Sequence, residues 1–433
     1  MRVAWFSPLP PIPAGVSDYS FELLPLIAEQ AEVDAYCVRP RPPDNRRWQS
    51  LRKPKAPAGI KVFTPPPGVR VFSPNELHRR LDRYDAVFYH LGNNPFHQFI
   101  YRAARTVPGV AVFHDFVLHH LLEAVLFEYD AGRHRSWYRE VLEADYGELG
   151  GQLADLRGHG VATHLEKFVF PLNGHVARAS KALITHSHDV ADRLAEVAPD
   201  VPVTVIPHHA GRPPAEVVGV TRAQARARLG LPKDAFLVGQ FGFITKPKQP
   251  AAVLGGFARL AERRPDALLL VVGANHLGFG VPNLISALGL EGKVRMTGFL
   301  DLARFYLYIK ACDVVVNLRW PSAGEASGTL ARSLSEGRPV IVNNVGSFSE
   351  LPPGVALKVE VDGDQTAEVG DHLVRLAENP VMKAELERRA AEYSRTALDL
   401  RRCANLYLEV ARQSAGAAVV PGGSSPAPTP SGV

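Results

Sequence analysis

The chain alternates short, continuous apolar runs with stretches whose apolar residues recur at helical spacing. Residues 3–6 (VAWF), 33–38, 85–90, 109–113, 182–185 and 203–206 are runs of strand length. Each has the composition of a strand buried on both faces. After the first, a helix carries Phe21, Leu24 and Ile27 on one face. Pro25 falls inside that pattern, which predicts a kink or a later start. Residues 121–175 read as mostly helical.

A Pro/Gly-rich linker, residues 211–216 (GRPPAE), interrupts the alternation, which then restarts. Strands are predicted at 236–240, 267–272, 293–297, 313–318, 340–343 and 355–361, with helices at 250–263, 284–288 and 302–312. The segment from about 383 to 412 is helical, and the Gly/Ser/Pro/Ala composition beyond residue 416 predicts disorder. Repeated strand-then-helix units specify parallel sheets covered by helices on both faces. The fold class is therefore α/β, with two doubly wound domains, 1–212 and 213–395. A helix at 396–414 and a tail at 415–433 follow. Two such halves on a short linker enclose one cleft, lined by strand C-termini, where doubly wound sheets gather their ligands.

Charge and cysteine content narrow the picture only slightly. The net charge of +5 suits a phosphate-bearing ligand or an anionic surface. No nucleic-acid partner is expected. Three scattered cysteines, Cys37, Cys312 and Cys403, form neither a disulfide framework nor a metal spacing, which suggests a reducing compartment. The opening MRVAWFSPLPP lacks the features of a secretory signal, and no apolar run approaches membrane-spanning length. A cytoplasmic protein is expected, with a candidate peripheral contact to the inner face of the membrane. The segment from Arg39 to Lys55, basic and bearing Trp48, would supply that contact; its plainer reading is a solvated loop.

The chemistry concentrates at strand ends. The run at 313–318 is followed by a small-residue loop, Ser322 to Gly328, and then a helix of about ten residues closed by Gly337. Free N–H groups and the dipole at a helix start attract anions, and small residues let a phosphate approach. Arg319 and Glu325 sit at the mouth of this site; the plainer reading is an Arg319–Glu325 pair in solvent beside a simple turn. Lys248 follows another strand, after Gly242, and Glu350 lies in a third loop. The first half offers Gly15 in the loop after its first strand, and His114 past the strand at 109–113. Two cations and a helix start suit a diphosphate, and carboxylates suit sugar hydroxyls. This set would stabilise the charge that grows on a diphosphate leaving group. There is no G-x-x-x-x-G-K-[ST], no G-x-G-x-x-G after the first strand, and no G-x-S-x-G. His186 and His188 lack the partners of a zinc site, and Asp362-Gly363-Asp364 reads as a turn.

Taken in order, several segments resemble the large family four of retaining nucleotide-sugar glycosyltransferases. They are Ser7 to Tyr19 with Gly15, His114-Asp115, Phe241 to Lys248, Val271 to Asn275, Gly298-Phe299-Leu300, Cys312-Asp313 through Pro321, Gly324 to Gly328, Gly337 to Ile341, and Gly346 with Glu350. The phrasing is similar to a bacterial branch that builds surface polysaccharides, often with mannose or related sugars. The resemblance implies the GT-B fold, with two Rossmann-like domains facing a central cleft and a C-terminal helix crossing back to the first. It implies hexose transfer from a nucleotide-sugar to a glycan or lipid-linked glycan, with no metal or other cofactor. By resemblance His114, Lys248 and Glu325 are the catalytic set. Gly15, Gly242, Arg319, Gly324, Ser327, Gly328 and Glu350 would bind the donor.

Two departures stand out. The family's second motif glutamate falls on Ser333, or on Arg332 if Gly337 sets the alignment. Its phosphate arginine falls on Phe243, and Arg319 is the expected replacement. Two other functions fit the same fold: a GT-B binding subunit without catalysis, and a nucleotide-sugar epimerase, which would need no acceptor.

Overall fold

The computed structural model describes residues 1–38, 65–124, 135–161, 163–278 and 280–415. The chain divides into two compact units. Unit 1 comprises Met1–Thr185, Ala191–Val205 and the residues from Asn405 onward; unit 2 comprises His186–Val190 and Ile206–Ala404.

Unit 1 is built on seven strands: β1 (Arg2–Phe6), β2 (Glu32–Tyr36), β3 (Val69–Phe72), β4 (Ala86–Leu91), β5 (Val110–Phe113), β6 (Ala182–Thr185) and β7 (Val203–Val205). They pair in parallel in the order β3-β2-β1-β4-β5-β6-β7. The sequence pattern does not reveal β3. It is a four-residue edge strand whose exposed Arg70 pairs with the buried Asp34 of β2 at 2.7 Å. The helix Gly15–Ala28 begins well before Pro25 and contains it, so the later start does not appear.

Unit 2 repeats the plan with β8 (Leu237–Phe241), β9 (Leu268–Val272), β10 (Val294–Met296), β11 (Val314–Asn317), β12 (Val340–Asn343) and β13 (Leu357–Val359), in the parallel order β10-β9-β8-β11-β12-β13. Both sheets therefore turn back at their first strand, as doubly wound sheets do. Unit 2 is covered on both faces. Val314 and Val316 of β11 join one apolar cluster with Val238 and Ile341, while Val315 joins the opposite one with Leu237 and Val340. This explains why β11 reads as an unbroken apolar run.

The division at 205/206 falls a few residues before the Pro/Gly-rich linker. The last helix, Leu400–Ala415, is shared: Cys403 bonds to the Pro207 carbonyl in unit 2, while Tyr407 packs on Trp5 and Phe88 in unit 1. Among the described residues no helix is long and apolar enough to cross a membrane. The segment from Arg39 to Lys55 and the residues beyond 415 lie outside the described residues.

Candidate active site

In unit 2, β8 ends at Phe241 and the chain turns at Gly242, whose φ of +81° favours glycine. A Cβ on Gly242 would stand 2.4 Å from Lys248 Nζ and 3.8 Å from Thr329 Oγ1. The missing side chain is thus the space the amine occupies. Lys248 ends the short turn Lys246–Lys248. Its Nζ donates to the Phe241 carbonyl at 2.7 Å, and its own carbonyl accepts from Gln240 Nε2 at 3.0 Å. Burial, reinforced by the Arg319 charge, holds this amine well below the ordinary lysine range; Glu325 pulls the other way.

The loop after β11 supplies the second wall. Arg319 donates its backbone N–H to Asn343 Oδ1 at 2.6 Å and Nη1 to the Leu318 carbonyl at 2.7 Å. Its Nε faces Glu325 Oε1 at 3.1 Å. The other Glu325 oxygen accepts from Ala323 N–H at 2.7 Å and from Ser322 Oγ at 3.1 Å. Ser322 Oγ also accepts from Gly324 N–H at 3.0 Å, closing the turn in which Gly324 has φ +72°. The Arg319 and Glu325 side chains are only 12% and 17% exposed, so the pair is not a solvent pair. Ser327 then caps the helix Gly328–Ser335, accepting from Leu330 N–H at 3.2 Å while facing Asn317 Oδ1 at 3.2 Å. This helix has eight residues rather than about ten, and its first turn lies beside Gly242 and Lys248. The His208 ring packs over its first residue: a Cβ on Gly328 would meet His208 Cε1 at 3.4 Å.

Gly242, Lys248, Arg319, Gly324, Glu325, Ser327 and Gly328 thus share one edge of the unit 2 sheet. Glu350 is engaged differently, accepting from the backbone N–H of His188 at 3.0 Å and of Asp189 at 2.6 Å. Ser333 and Arg332 supply no carboxylate. Ser333 Oγ donates to the Thr329 carbonyl, and Arg332 Nη1 donates to Tyr306 Oη at 2.7 Å.

Gly15 and His114 belong to unit 1. Gly15 opens the helix Gly15–Ala28, and a Cβ there would meet nothing within 4 Å. His114 is buried at the end of β5, its Nε2 2.9 Å from Nδ1 of the buried His90. Asn343, Ser322, Thr329, His208 and His90 escape the sequence reading. They are common residue types that act here by holding another group, and only the fold brings them to it.

Comparison with known proteins fixes the architecture. Solved structures cover about 95% of the chain. HepE of Anabaena, in a complex with UDP and glucose, superposes with a TM-score of 0.61 over 95% of this chain and 99% of its own, at 14% identity. Sucrose-phosphate synthase of Thermosynechococcus elongatus gives 0.63 over 95% and 98%, at 16% identity.

The fold is GT-B.

Residues 221–396, which hold the whole unit 2 sheet, match the family model described as Glycosyl transferases group 1. The D-inositol 3-phosphate glycosyltransferase of Saccharomonospora viridis is 32% identical over 263 residues, 56% of this chain and 57% of that one. The chain spans about half the length of the curated relatives it matches. On the GT-B frame Lys248 lies at strand C-termini, beside a helix start. Its amine and the helix N–H groups can hold phosphate oxygens, and Glu325 can accept hydroxyls once its loop partners yield.

Proposed function

We propose that the chain is a retaining glycosyltransferase that moves a hexose from a nucleoside diphosphate sugar to a hydroxyl acceptor. The observation that carries this reading is the placement of Lys248 Nζ over Gly242 beside Thr329, at the start of the helix Gly328–Ser335. The diphosphate binds against that amine, at the start of the helix. Lys248 and the helix N–H groups bind its oxygens, Arg319 adds positive charge, and Glu325 receives the sugar hydroxyls. As the acceptor oxygen bonds to the anomeric carbon, the bond from that carbon to the phosphate oxygen breaks. The diphosphate departs with the electron pair and takes up the acceptor's proton. The charge it gains is what Lys248 and the helix start stabilise. Attack from the face the leaving group vacates retains configuration. No metal takes part, so donor binding should survive a chelator.

A glycan or lipid-linked glycan is the acceptor first proposed, with mannose as the first sugar to test. The name of the matched relatives adds a phosphorylated polyol, D-inositol 3-phosphate, to the panel. The test is thermal stabilisation by nucleoside diphosphates and nucleotide-sugars without metal, followed by turnover of the donor that stabilises. Selective stabilisation that Lys248→Ala weakens about tenfold, together with release of the diphosphate, supports the reading. Stabilisation without turnover would instead favour a GT-B binding subunit, consistent with the absence of a carboxylate at Ser333 and Arg332.

A further inference from the structure

The chain enters the helix Pro250–Arg263 through Gln249, which has φ +53° and ψ +50°. Leu172 is the other non-glycine residue with positive φ among the described residues. Pro250 keeps the preceding residue out of the right-handed helical region, so the joint must be extended or left-handed. A glycine would adopt the left-handed form without strain, and a side chain with a Cβ does so at a cost. The glutamine brings something a glycine lacks. Its Nε2 donates to the Trp320 carbonyl at 3.2 Å, and Trp320 N–H donates in return to the Pro247 carbonyl at 2.8 Å. These two bonds tie the loop bearing Lys248 to the loop bearing Arg319 and Glu325. On the inner side Lys248 is held by Gln240 and by the Phe241 carbonyl. Non-glycine residues held in the left-handed region often accompany functional sites.

We propose that Gln249 is a positioning residue that clamps the Lys248 loop to the Arg319–Glu325 loop and so sets the width of the diphosphate pocket. This rests on the reading of that pocket as a diphosphate site. Both clamping bonds end on backbone carbonyls, so residue 320 contributes through its main chain, and residue 249 is the side chain that matters. With the clamp in place, the lysine amine and the first turn of the helix Gly328–Ser335 keep a fixed separation before any ligand arrives. Such preorganisation raises affinity by removing the cost of ordering the loops at binding.

Two variants separate positioning from stability. Gln249→Ala removes the amide and keeps the strain; Gln249→Gly removes both. The glycine variant should melt higher than the alanine variant by about 2–4 °C. If the amide is the clamp, both should bind pyrophosphate and UDP about tenfold more weakly than the parent, by equal amounts despite their different melting temperatures. In ligand-free protein the Trp320 amide should exchange its hydrogen faster in both. Parent-like pyrophosphate and UDP affinity in both variants, or affinity that follows melting temperature, would overturn the proposal. So would unchanged exchange at Trp320. If the parent binds neither pyrophosphate nor UDP, the diphosphate reading fails, while the exchange experiment still decides whether the clamp exists.

Discussion

Lys248 shows what a single buried amine does to stability and to binding. Its folded-state pKa lies well below the 10.5 of an ordinary lysine. Between those two values the unfolded chain holds a proton that the folded chain does not, so stability rises as pH climbs toward 10.5. Lys248→Met removes this dependence. It should raise the melting temperature at pH 7, by an amount that shrinks as pH approaches about 10; melting curves of both proteins at pH 7 and 9.5 check it. Binding carries the complementary consequence. A diphosphate beside the amine favours its charged form, so the parent should take up a proton on binding UDP. Titration calorimetry in buffers of different ionisation enthalpy measures that uptake, and Lys248→Met should abolish it. Glu325 poses the opposite case. Removing its carboxylate takes the facing anion from the largely buried Arg319 and leaves the Ala323 N–H without its acceptor. Glu325→Ala should cost about 2 kcal/mol, measured by chemical denaturation. Lysine, arginine and glutamate are legible in a sequence because few other roles explain them at strand ends. The groups that hold them, Asn343 and Ser322, are not, because a loop asparagine or serine has many uses and its partner is fixed only by the fold.

At the scale of elements, the unit 2 site is a strand, a turn and a helix start. The helix Gly328–Ser335 is short, so its first turn depends on its cap. Ser327→Ala removes the acceptor of the Leu330 N–H and should cost about 1 kcal/mol. It should also weaken pyrophosphate binding, because it loosens the same N–H groups proposed to meet the ligand. Denaturation and titration of one variant read both effects. The strands of unit 2 were legible because burial on both faces makes them apolar without interruption, and their parallel pairing follows from the intervening helices. The edge strand β3 was not, since one covered face leaves Arg70 in the pattern. The run of the helix Gly15–Ala28 through Pro25 was equally hidden. Proline costs a helix most when it displaces a needed hydrogen bond, and its packing partners alone decide whether that cost is met.

At the scale of the whole molecule, both doubly wound units were legible because repeated strand–helix alternation admits few topologies, whereas the GT-B class followed from the resemblance of the ordered segments. The point at which unit 1 gives way to unit 2 was less so, since it lies within apolar sequence before the proline-rich linker. Unit 1 also carries an acid sensitivity that sequence does not reveal. Burial pushes His97 down to about 4, His119 to about 3 and His120 to about 4. Below the ordinary 6.5 the unfolded chain takes up protons that these folded rings refuse, so stability is lost as pH falls from about 6.5 to about 4. Each ring contributes up to about 1.4 kcal/mol per pH unit across that window. His97→Phe should flatten the decline by one proton's share, read from denaturation midpoints between pH 7 and 5. His97 suits this test because its ring is enclosed and Nδ1 binds only the His90 carbonyl.

The last helix gives unit 1 a history as well as a shape. Tyr407 lies against Trp5 and Phe88 and bonds through its hydroxyl to Tyr19. A ribosome finishes the first contiguous stretch of unit 1 at Thr185 and reaches Asn405 only after all of unit 2. At about 5–20 residues per second, that interval lasts roughly ten to forty seconds. During it the nascent sheet carries an aromatic surface whose cover has not yet been made. Unit 2, contiguous from Ile206 to Ala404 apart from the short piece His186–Val190, waits for far less. The half that begins first is completed last, and in the cell the interval before Tyr407 emerges is when chaperones have most to bind.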